Sequence, residues 1–491
     1  MRPTARSLEI GISLLYVPVL RSLLLHLMRR AIRARLNDSK APVNQRKIIQ
    51  QRRSMALAIV QTFENSVKRG RLSPGVARIS GGLWGKLLLG WADRRLAARD
   101  FRERTHRSPP LFMAISPGQA CNLSCEGCYA SSDSRDTKLE WSLVDRIISD
   151  AKRLWDIKLI VLSGGEPLAY RSEGRGILDI AEEHPDLLFL MFTNGTLLDE
   201  DMARRLAKMG NLTPAFSVEG MQSRTDQRRG EGAFDSVAKA MGRLRHVGVP
   251  FGLSVTVTSS NVDEVLSDPF LDLFFDKHGA FYGFFFQYMP IGRVPDLNSM
   301  PTPEQRVAFW RRMWQVIEDR KLFVVDMWNH GPLAMGCMSA GREDGYIHVD
   351  WNGRVTPCVF IPYSVGNVRD VYSRGGTLND LWHAPFFEHI RKWQDSYGFA
   401  QREPSKQADW LRPCPFRDHH RLFREWVDVH QPEPEDGVAG QALLDDAYWQ
   451  GMCEYGEALE GLVRVYGKGS TWAKNDSVPI LHTRIATKSS R

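Results

Sequence analysis

The sequence predicts an α/β fold. A mostly parallel sheet with helices outside should occupy residues 111–300, after a helical, basic extension and before a smaller α+β region. Three observations carry this expectation. Short apolar runs of strand length alternate with helical periodicity from Leu111 onward. Most of these runs end in a turn bearing glycine, cysteine, a carboxylate or an amide, at the strand ends where parallel sheets bind ligands. A composition of 43% apolar and 25% charged residues over 491 positions is that of a folded chain of two or three domains.

The N-terminal extension, residues 1–110, opens with an apolar run from Ile10 that ends in an arginine-rich stretch at Leu36. Pro18 and Arg21 interrupt it, so it makes a poor membrane span, and no small-residue cleavage site precedes Arg29. The run reads as a helix lying on a membrane surface, with Arg29, Arg30, Arg33 and Arg35 toward head groups. An ordinary helix docked on the core is the alternative. Trp84 to Trp91 forms a second apolar patch, suited to an interface or to packing within a helix. Ser108-Pro109-Pro110 ends the extension as a linker. The net charge of +8, concentrated in this part, suits an anionic surface and is too mild to indicate a nucleic-acid partner.

Strands are expected at Leu111–Pro117, Lys158–Ser163, Leu187–Phe192, Thr213–Val218, Phe251–Val257 and Phe281–Tyr288. Helices are expected at Trp141–Leu154, Ile177–Glu183, Asp199–Met209 and Phe234–Val247. About six strand–helix units therefore fit before residue 300, a core domain of residues 111–331.

The first strand leads into Cys121-Asn-Leu-Ser-Cys125-Glu-Gly-Cys128, three cysteines within eight residues. Three thiolates can hold three irons of a 4Fe–4S cube and leave the fourth open, whereas four would close it as an electron carrier. Gly164-Gly165-Glu166-Pro167 follows the next strand, and Asn194 ends the third. Ser217-Val-Glu219-Gly220 ends the fourth, before Thr225-Asp-Gln-Arg228-Arg229-Gly230. A glycine turn permits close backbone approach, and a carboxylate can accept two hydrogen bonds from a vicinal diol.

This constellation resembles the radical S-adenosylmethionine (SAM) superfamily. The resemblance implies a partial (β/α)6 barrel and a catalytic cluster on Cys121, Cys125 and Cys128, whose open iron chelates SAM and splits it to a 5′-deoxyadenosyl radical. It implies that Gly164, Gly165, Glu166 and Pro167 meet the SAM amino group and that Ser217 and Glu219 hold the ribose. Asn194 lines the site, and Arg228, preferred over Arg229, meets the SAM carboxylate. Gly127 departs from the pattern, since the residue before the third cysteine is usually aromatic; Tyr129 is the candidate substitute.

After Pro332 the resemblance is looser. Gly345 to Cys358 reads as a β-hairpin turning at Asn352-Gly353. With Cys337, Val365 to Val368, Leu378 to Trp382 and Cys414, residues 332–430 are similar to SPASM or twitch extensions, which hold auxiliary iron–sulfur clusters. Cys337, Cys358 and Cys414 are candidate ligands, with Cys453 a weaker fourth; His419 and His420 could ligate but read more readily as surface residues. No dense CxxC run follows Cys358, so one auxiliary cluster is expected rather than two. Residues 431–491 should form a helical segment and a polar tail after Lys468.

The expected activity is hydrogen abstraction from an unactivated carbon. The apolar N-terminus and the aromatic run FYGFFFQYMP at 281–290 suggest a lipid or isoprenoid-like small-molecule substrate. The alternative is a SPASM-type peptide or protein maturase; a non-catalytic iron–sulfur carrier is a remote one, because it needs no SAM motifs. The reaction implies an electron donor such as flavodoxin or ferredoxin. The oxygen-sensitive thiols imply a cytoplasmic location with peripheral membrane contact on the inner face.

Overall fold

The computed structural model describes residues 11–39, 43–89, 99, 101–133, 135–399, 409 and 411–467. The Trp84–Trp91 side chains and the tail from Lys468 lie outside the described residues. Nine strands form the main sheet: β1 (Phe112–Ile115), β2 (Leu159–Leu162), β3 (Leu188–Thr193), β4 (Leu212–Val218), β5 (Gly252–Val257), β6 (Tyr282–Gln287), β7 (Val324–Asp326), β8 (Tyr346–Val349) and β9 (Val355–Thr356). Their order is β9-β8-β1-β2-β3-β4-β5-β6-β7. Neighbours from β8 to β7 are parallel, and only β9 runs antiparallel to β8. The two edge strands do not pair with each other, so the barrel is partial.

All six expected strands are present, and β7, β8 and β9 extend the sheet. The hairpin read at residues 345–358 is β8–β9, with Gly353 at φ +86° in its turn. It does not stand apart as a module, because Phe112 of β1 pairs with Tyr346 and Ile115 with Val349.

Strand alternation sets the two faces of the sheet. Met113, Ile115, Ile160, Leu162, Met191, Phe216, Val255 and Phe285 are all fully buried beneath the outer helices. One of these helices is α1 (Trp141–Trp155), which buries Val144, Ile147, Ile148 and Ala151. The alternate residues point inward and line an open lumen, among them Ala114, Val161, Leu190, Phe192, Ser217, Thr256, Phe284 and Phe286. A closed eight-stranded barrel fills this space with side chains; here it stays hollow.

The N-terminal extension closes the lower end. Its helix Val43–Lys68 places Arg52, Met55, Ala56 and Ile59 in the lumen wall, and Arg52 donates to Leu333 O at 3.2 Å. The chain after it hydrogen-bonds loops that enter the strands: Ser73 N to Gly248 O at 2.9 Å and Arg71 Nη1 to Phe275 O at 2.9 Å. The helix before it, Pro18–Arg35, docks through Leu25 against Val60. Arg29 does not face outward as expected; it pairs with Glu64 at 2.5 Å, because a buried carboxylate draws the guanidinium down. Val19, Leu23 and Leu27 remain exposed beside Arg30 and Arg33. Among the described residues no helix is long and apolar enough to cross a membrane.

Candidate active site

The three-cysteine loop leaves the carboxyl end of β1 and is held from two sides. On one side is the glycine turn after β2. Gly165 N donates to Gly118 O and Glu166 N to Ala120 O, both at 2.9 Å. A Cβ at Gly165 would lie 2.2 Å from Ala120 O, so the close approach this glycine allows is to the cysteine loop itself. On the other side is the loop after β6. Arg293 donates its backbone N–H to Cys128 O and its Nη1 to Cys125 O, both at 2.9 Å. Gly292 sits so close that a Cβ there would lie 2.3 Å from Tyr129 O. Nothing in the local sequence pattern marks Gly292 and Arg293 as supports.

Cys121, Cys125 and Cys128 line one cavity of about 1090 Å³, and Gly164, Gly165, Glu166, Asn194, Ser217 and Arg228 line it with them. Donors converge on the sulfurs: Leu123 N and Asn194 Nδ2 lie 3.4 and 3.7 Å from Cys121 Sγ, and Arg229 Nη1 lies 3.8 Å from Cys125 Sγ. Such donors favour thiolates over thiols. Burial opposes them, pushing Cys121 up to about 11 and raising Cys125 as well. Three free thiols on one loop, with N–H donors aimed at sulfur, fit a cluster held by three thiolates. Among the described residues no three His, Cys, Asp or Glu converge as they would on a single metal ion.

Glu166 is buried, and Pro167 begins the short turn of helix behind it. Glu166 Oε1 accepts from Leu168 N at 2.9 Å and Thr193 Oγ1 at 2.6 Å, and Oε2 accepts from Asn194 N at 2.7 Å. Desolvation nevertheless raises its pKa. One lone pair of Oε2 stays open for a cation in the cavity.

The arrangement around Glu219 differs from expectation. Its carboxylate does not line the cavity. Arg229 grips it twice, Nε and Nη2 both at 2.6 Å, and Arg228 Nη1 adds a third bond at 2.8 Å. Burial opposes ionisation, but the two guanidiniums outweigh it and hold the carboxyl below its usual range. Glu219 thus orients the two arginines, which take up three of its acceptor positions. Ser217, on the inward face of β4, does face the cavity. Arg228 reaches Glu126 O at 3.0 Å, while Arg229, ranked second from sequence, is the one beside a cysteine sulfur. Only the tertiary packing separates two adjacent arginines.

Gly127 also finds its explanation. Its φ is +58°, and a Cβ there would lie 2.9 Å from the Tyr288 ring. Tyr288, at the end of β6, fills the space beside the cysteine loop. Tyr129 lines the cavity as well, on the side of the glycine turn, its hydroxyl 2.6 Å from Ser163 Oγ.

A second cysteine set lines the same cavity. Cys337, Cys358 and Cys414 come from three separate segments. Cys358 Sγ meets Tyr346 Oη at 2.9 Å, and Cys337 Sγ meets Ser339 Oγ at 3.1 Å. Burial pushes Cys358 up to about 12 and raises Cys414, and proximity to Cys337 raises both further. The Cys414 loop is fixed by Asp418, which accepts from Cys414 N at 3.1 Å and pairs with Arg306 at 2.6 Å and Arg417 at 3.2 Å. Cys453 stands apart on the helix Asp446–Gly467, among Arg421, Arg424, Glu454 and Glu457, and does not line the cavity. His419 and His420 are not surface residues; each uses a ring nitrogen on a backbone carbonyl, of Arg412 at 3.0 Å and Phe416 at 2.7 Å.

Comparison with known proteins agrees with this geometry. Residues 115–267 match the radical SAM superfamily, and residues 337–414 match SPASM, an iron–sulfur cluster-binding domain. The chain is 25% identical over 325 residues to an AdoMet-dependent heme synthase of Methanosarcina barkeri, covering 59% of this chain and 87% of that one. It is 29% identical over 303 residues to the mycofactocin maturase MftC of Mycolicibacterium smegmatis, covering 58% and 74%. Among solved structures, Streptococcus suis SuiB bound to S-adenosylmethionine superposes with a TM-score of 0.50 at 15% identity, covering 66% of this chain and 76% of that one. That likeness concerns the fold alone. The chain carries a radical SAM domain and a SPASM domain, and it is an enzyme of the radical SAM class. Within it, the chain is of the SPASM-containing type, whose cofactors are a 4Fe–4S cluster, SAM and auxiliary iron–sulfur.

Proposed function

We propose that this enzyme is a peptide or protein maturase that abstracts hydrogen from an unactivated carbon of its substrate. The carrying observation is that both cysteine sets and the glycine turn face one continuous cavity. A substrate there would sit between the two clusters. The relatives add weight: MftC is named a mycofactocin maturase, and SkfB of Bacillus subtilis, 27% identical over 274 residues, a sporulation killing factor maturation protein.

When bound, the cluster and SAM supply the one-electron chemistry. Cys121, Cys125 and Cys128 would hold the catalytic cluster, with Arg229 and Asn194 orienting and stabilising the thiolates. Glu166 would take the SAM ammonium on its open lone pair, and Ser217 and Arg228 would meet the rest of SAM. Tyr288 would cover the loop where Gly127 lacks a ring. Cys337, Cys358 and Cys414 would hold one auxiliary cluster. A flavodoxin or ferredoxin would deliver the electron.

The inward phenylalanines favour a second reading, an apolar small molecule such as a lipid or isoprenoid. The test is anaerobic reconstitution with dithionite and SAM, scored for 5′-deoxyadenosine and for a mass change on candidate precursor peptides encoded near the gene. No nucleoside above a Cys128→Ala control rejects the enzyme chemistry. SAM cleavage with modification of a lipid and of no peptide rejects the maturase reading.

A further inference from the structure

Two of the three thiols of the second set meet a hydroxyl. Tyr346 opens β8, paired with Phe112 of β1 and stacked on its ring at 4.8 Å between centroids. Its main chain holds the Cys337 segment: Tyr346 N donates to Met338 O and Gly341 N to Tyr346 O, both at 2.9 Å. Its side chain reaches the other cysteine, with Oη 2.9 Å from Cys358 Sγ. One residue thus ties together the segments that carry two of the thiols. Ser339 repeats the contact on Cys337. Its Oγ accepts from Gln394 Nε2 at 3.3 Å and lies 3.1 Å from Cys337 Sγ. Tyr346, Ser339 and both cysteines line the cavity.

A cysteine that ligates iron has lost its proton, so its sulfur can only accept. The Tyr346 and Ser339 hydroxyls are then the donors, and Phe360 N adds a longer bond to Cys358 Sγ at 3.4 Å. Donation to an ionised sulfur is charge-assisted and draws negative charge off it. A cluster gains one negative charge on reduction, so hydrogen bonds to its sulfurs favour the reduced state. Asp418, the carboxylate beside Cys414, is paired with Arg306 and Arg417 and so opposes this effect little.

We infer that Tyr346 and Ser339 set the electron affinity of the auxiliary cluster, by donating O–H to the Cys358 and Cys337 thiolates. Both act through a ligand and are positioning residues. The inference rests on the assignment of Cys337, Cys358 and Cys414 to that cluster. The couple concerned is a one-electron reduction by an external reductant, and each hydroxyl keeps its proton in both states. Tyr346→Phe removes the donor alone, because the stack on Phe112 and the main-chain bonds to Met338 and Gly341 need no hydroxyl.

Potentiometric titration with dithionite, followed by electron paramagnetic resonance, tests this. The protein is the full chain carrying Cys121→Ala, Cys125→Ala and Cys128→Ala, reconstituted anaerobically, in which the second set holds the cluster that is read. Iron should be about four per chain here and in the variants built on it. Tyr346→Phe should move the midpoint to a more negative potential, lowering the reduced-to-oxidised ratio at a fixed potential by roughly threefold or more. Ser339→Ala should move it the same way, and the double variant further than either. A hydroxyl with a merely structural role would leave the midpoint alone while iron is retained. A midpoint that is unchanged or more positive in Tyr346→Phe at full iron overturns the inference. So does iron loss in Tyr346→Phe with an unmoved midpoint in Ser339→Ala. A triple-alanine chain that takes up no iron overturns the cluster assignment itself, which tells the two failures apart.

Discussion

The two cysteine sets share one cavity yet are built in opposite ways. Cys121, Cys125 and Cys128 lie within a single loop, which only has to be pinned by its neighbours. Cys337, Cys358 and Cys414 span three segments, and the fold itself must bring them together. Their surroundings differ too. The first set has a guanidinium and an amide near sulfur. The second has neutral hydroxyls, those of Tyr346 and Ser339. The first environment favours charge and the second is drier, since burial takes Cys358 to about 12 against about 11 for Cys121. Proximity in sequence makes a site robust; assembly from distant segments makes it depend on every buried contact beneath it.

The largest effect should come from breaking the sets one at a time. Cys128→Ala should abolish 5′-deoxyadenosine formation. Cys414→Ser should keep it and lower bound iron from about eight to about four per chain, at four per cube. Equal iron in wild type and Cys414→Ser would remove the second set as a cluster site.

Next come the buried ion pairs that serve each set. Asp418→Asn leaves Arg306 and Arg417 buried and should cost about 3–5 kcal/mol. Its damage should appear first as lost auxiliary iron, measured beside the denaturation midpoint. Arg229→Gln should cost about 2–3 kcal/mol, less because Arg228 still pairs with Glu219. If Arg228→Gln proves equally damaging, Arg229 has no special place beside Cys125.

A smaller effect concerns the hairpin that carries the second set. Asp350 holds its turn by accepting from Asn352 N and Arg354 N, both at 2.8 Å. Burial raises Asp350 to about 6 and raises its neighbour Glu435. A raised carboxyl binds more protons folded than unfolded, so stability is lost as pH rises from about 4 to about 6, on the order of 2 kcal/mol. Asp350→Asn should flatten that slope between pH 4 and pH 6.5 in thermal melts; an unchanged slope would place the titration elsewhere.

The smallest effect is expected at the far end of the molecule. Leu23→Ser and Leu27→Ser lie on an exposed face and should shift stability by less than about 0.5 kcal/mol. Co-sedimentation of these variants with anionic vesicles would show whether that face touches lipid; sedimentation equal to wild type would discard the surface helix.

Legibility in the sequence followed the same division. The six core strands were readable because buried parallel strands are short apolar runs with marked ends. The cysteine loop and the glycine turn were readable because their chemistry is local. Cys453 could not be separated from the other cysteines by spacing, since only the packing of its helix sets it outside the cavity. The place of Tyr288 beside Gly127 was hidden for the same reason, with 160 positions of chain between them.

By itself the sequence determined the reaction class: three thiols in one loop and a glycine turn one strand later specify a chemistry through neighbouring residues, whatever surrounds them. Tertiary structure alone decided the hollow lumen, the floor made by the N-terminal helix and the shared cavity of the two cysteine sets. It also decided which arginine stands beside sulfur. Each of these depends on distances between segments far apart in the chain, and periodicity and spacing carry no information about such distances.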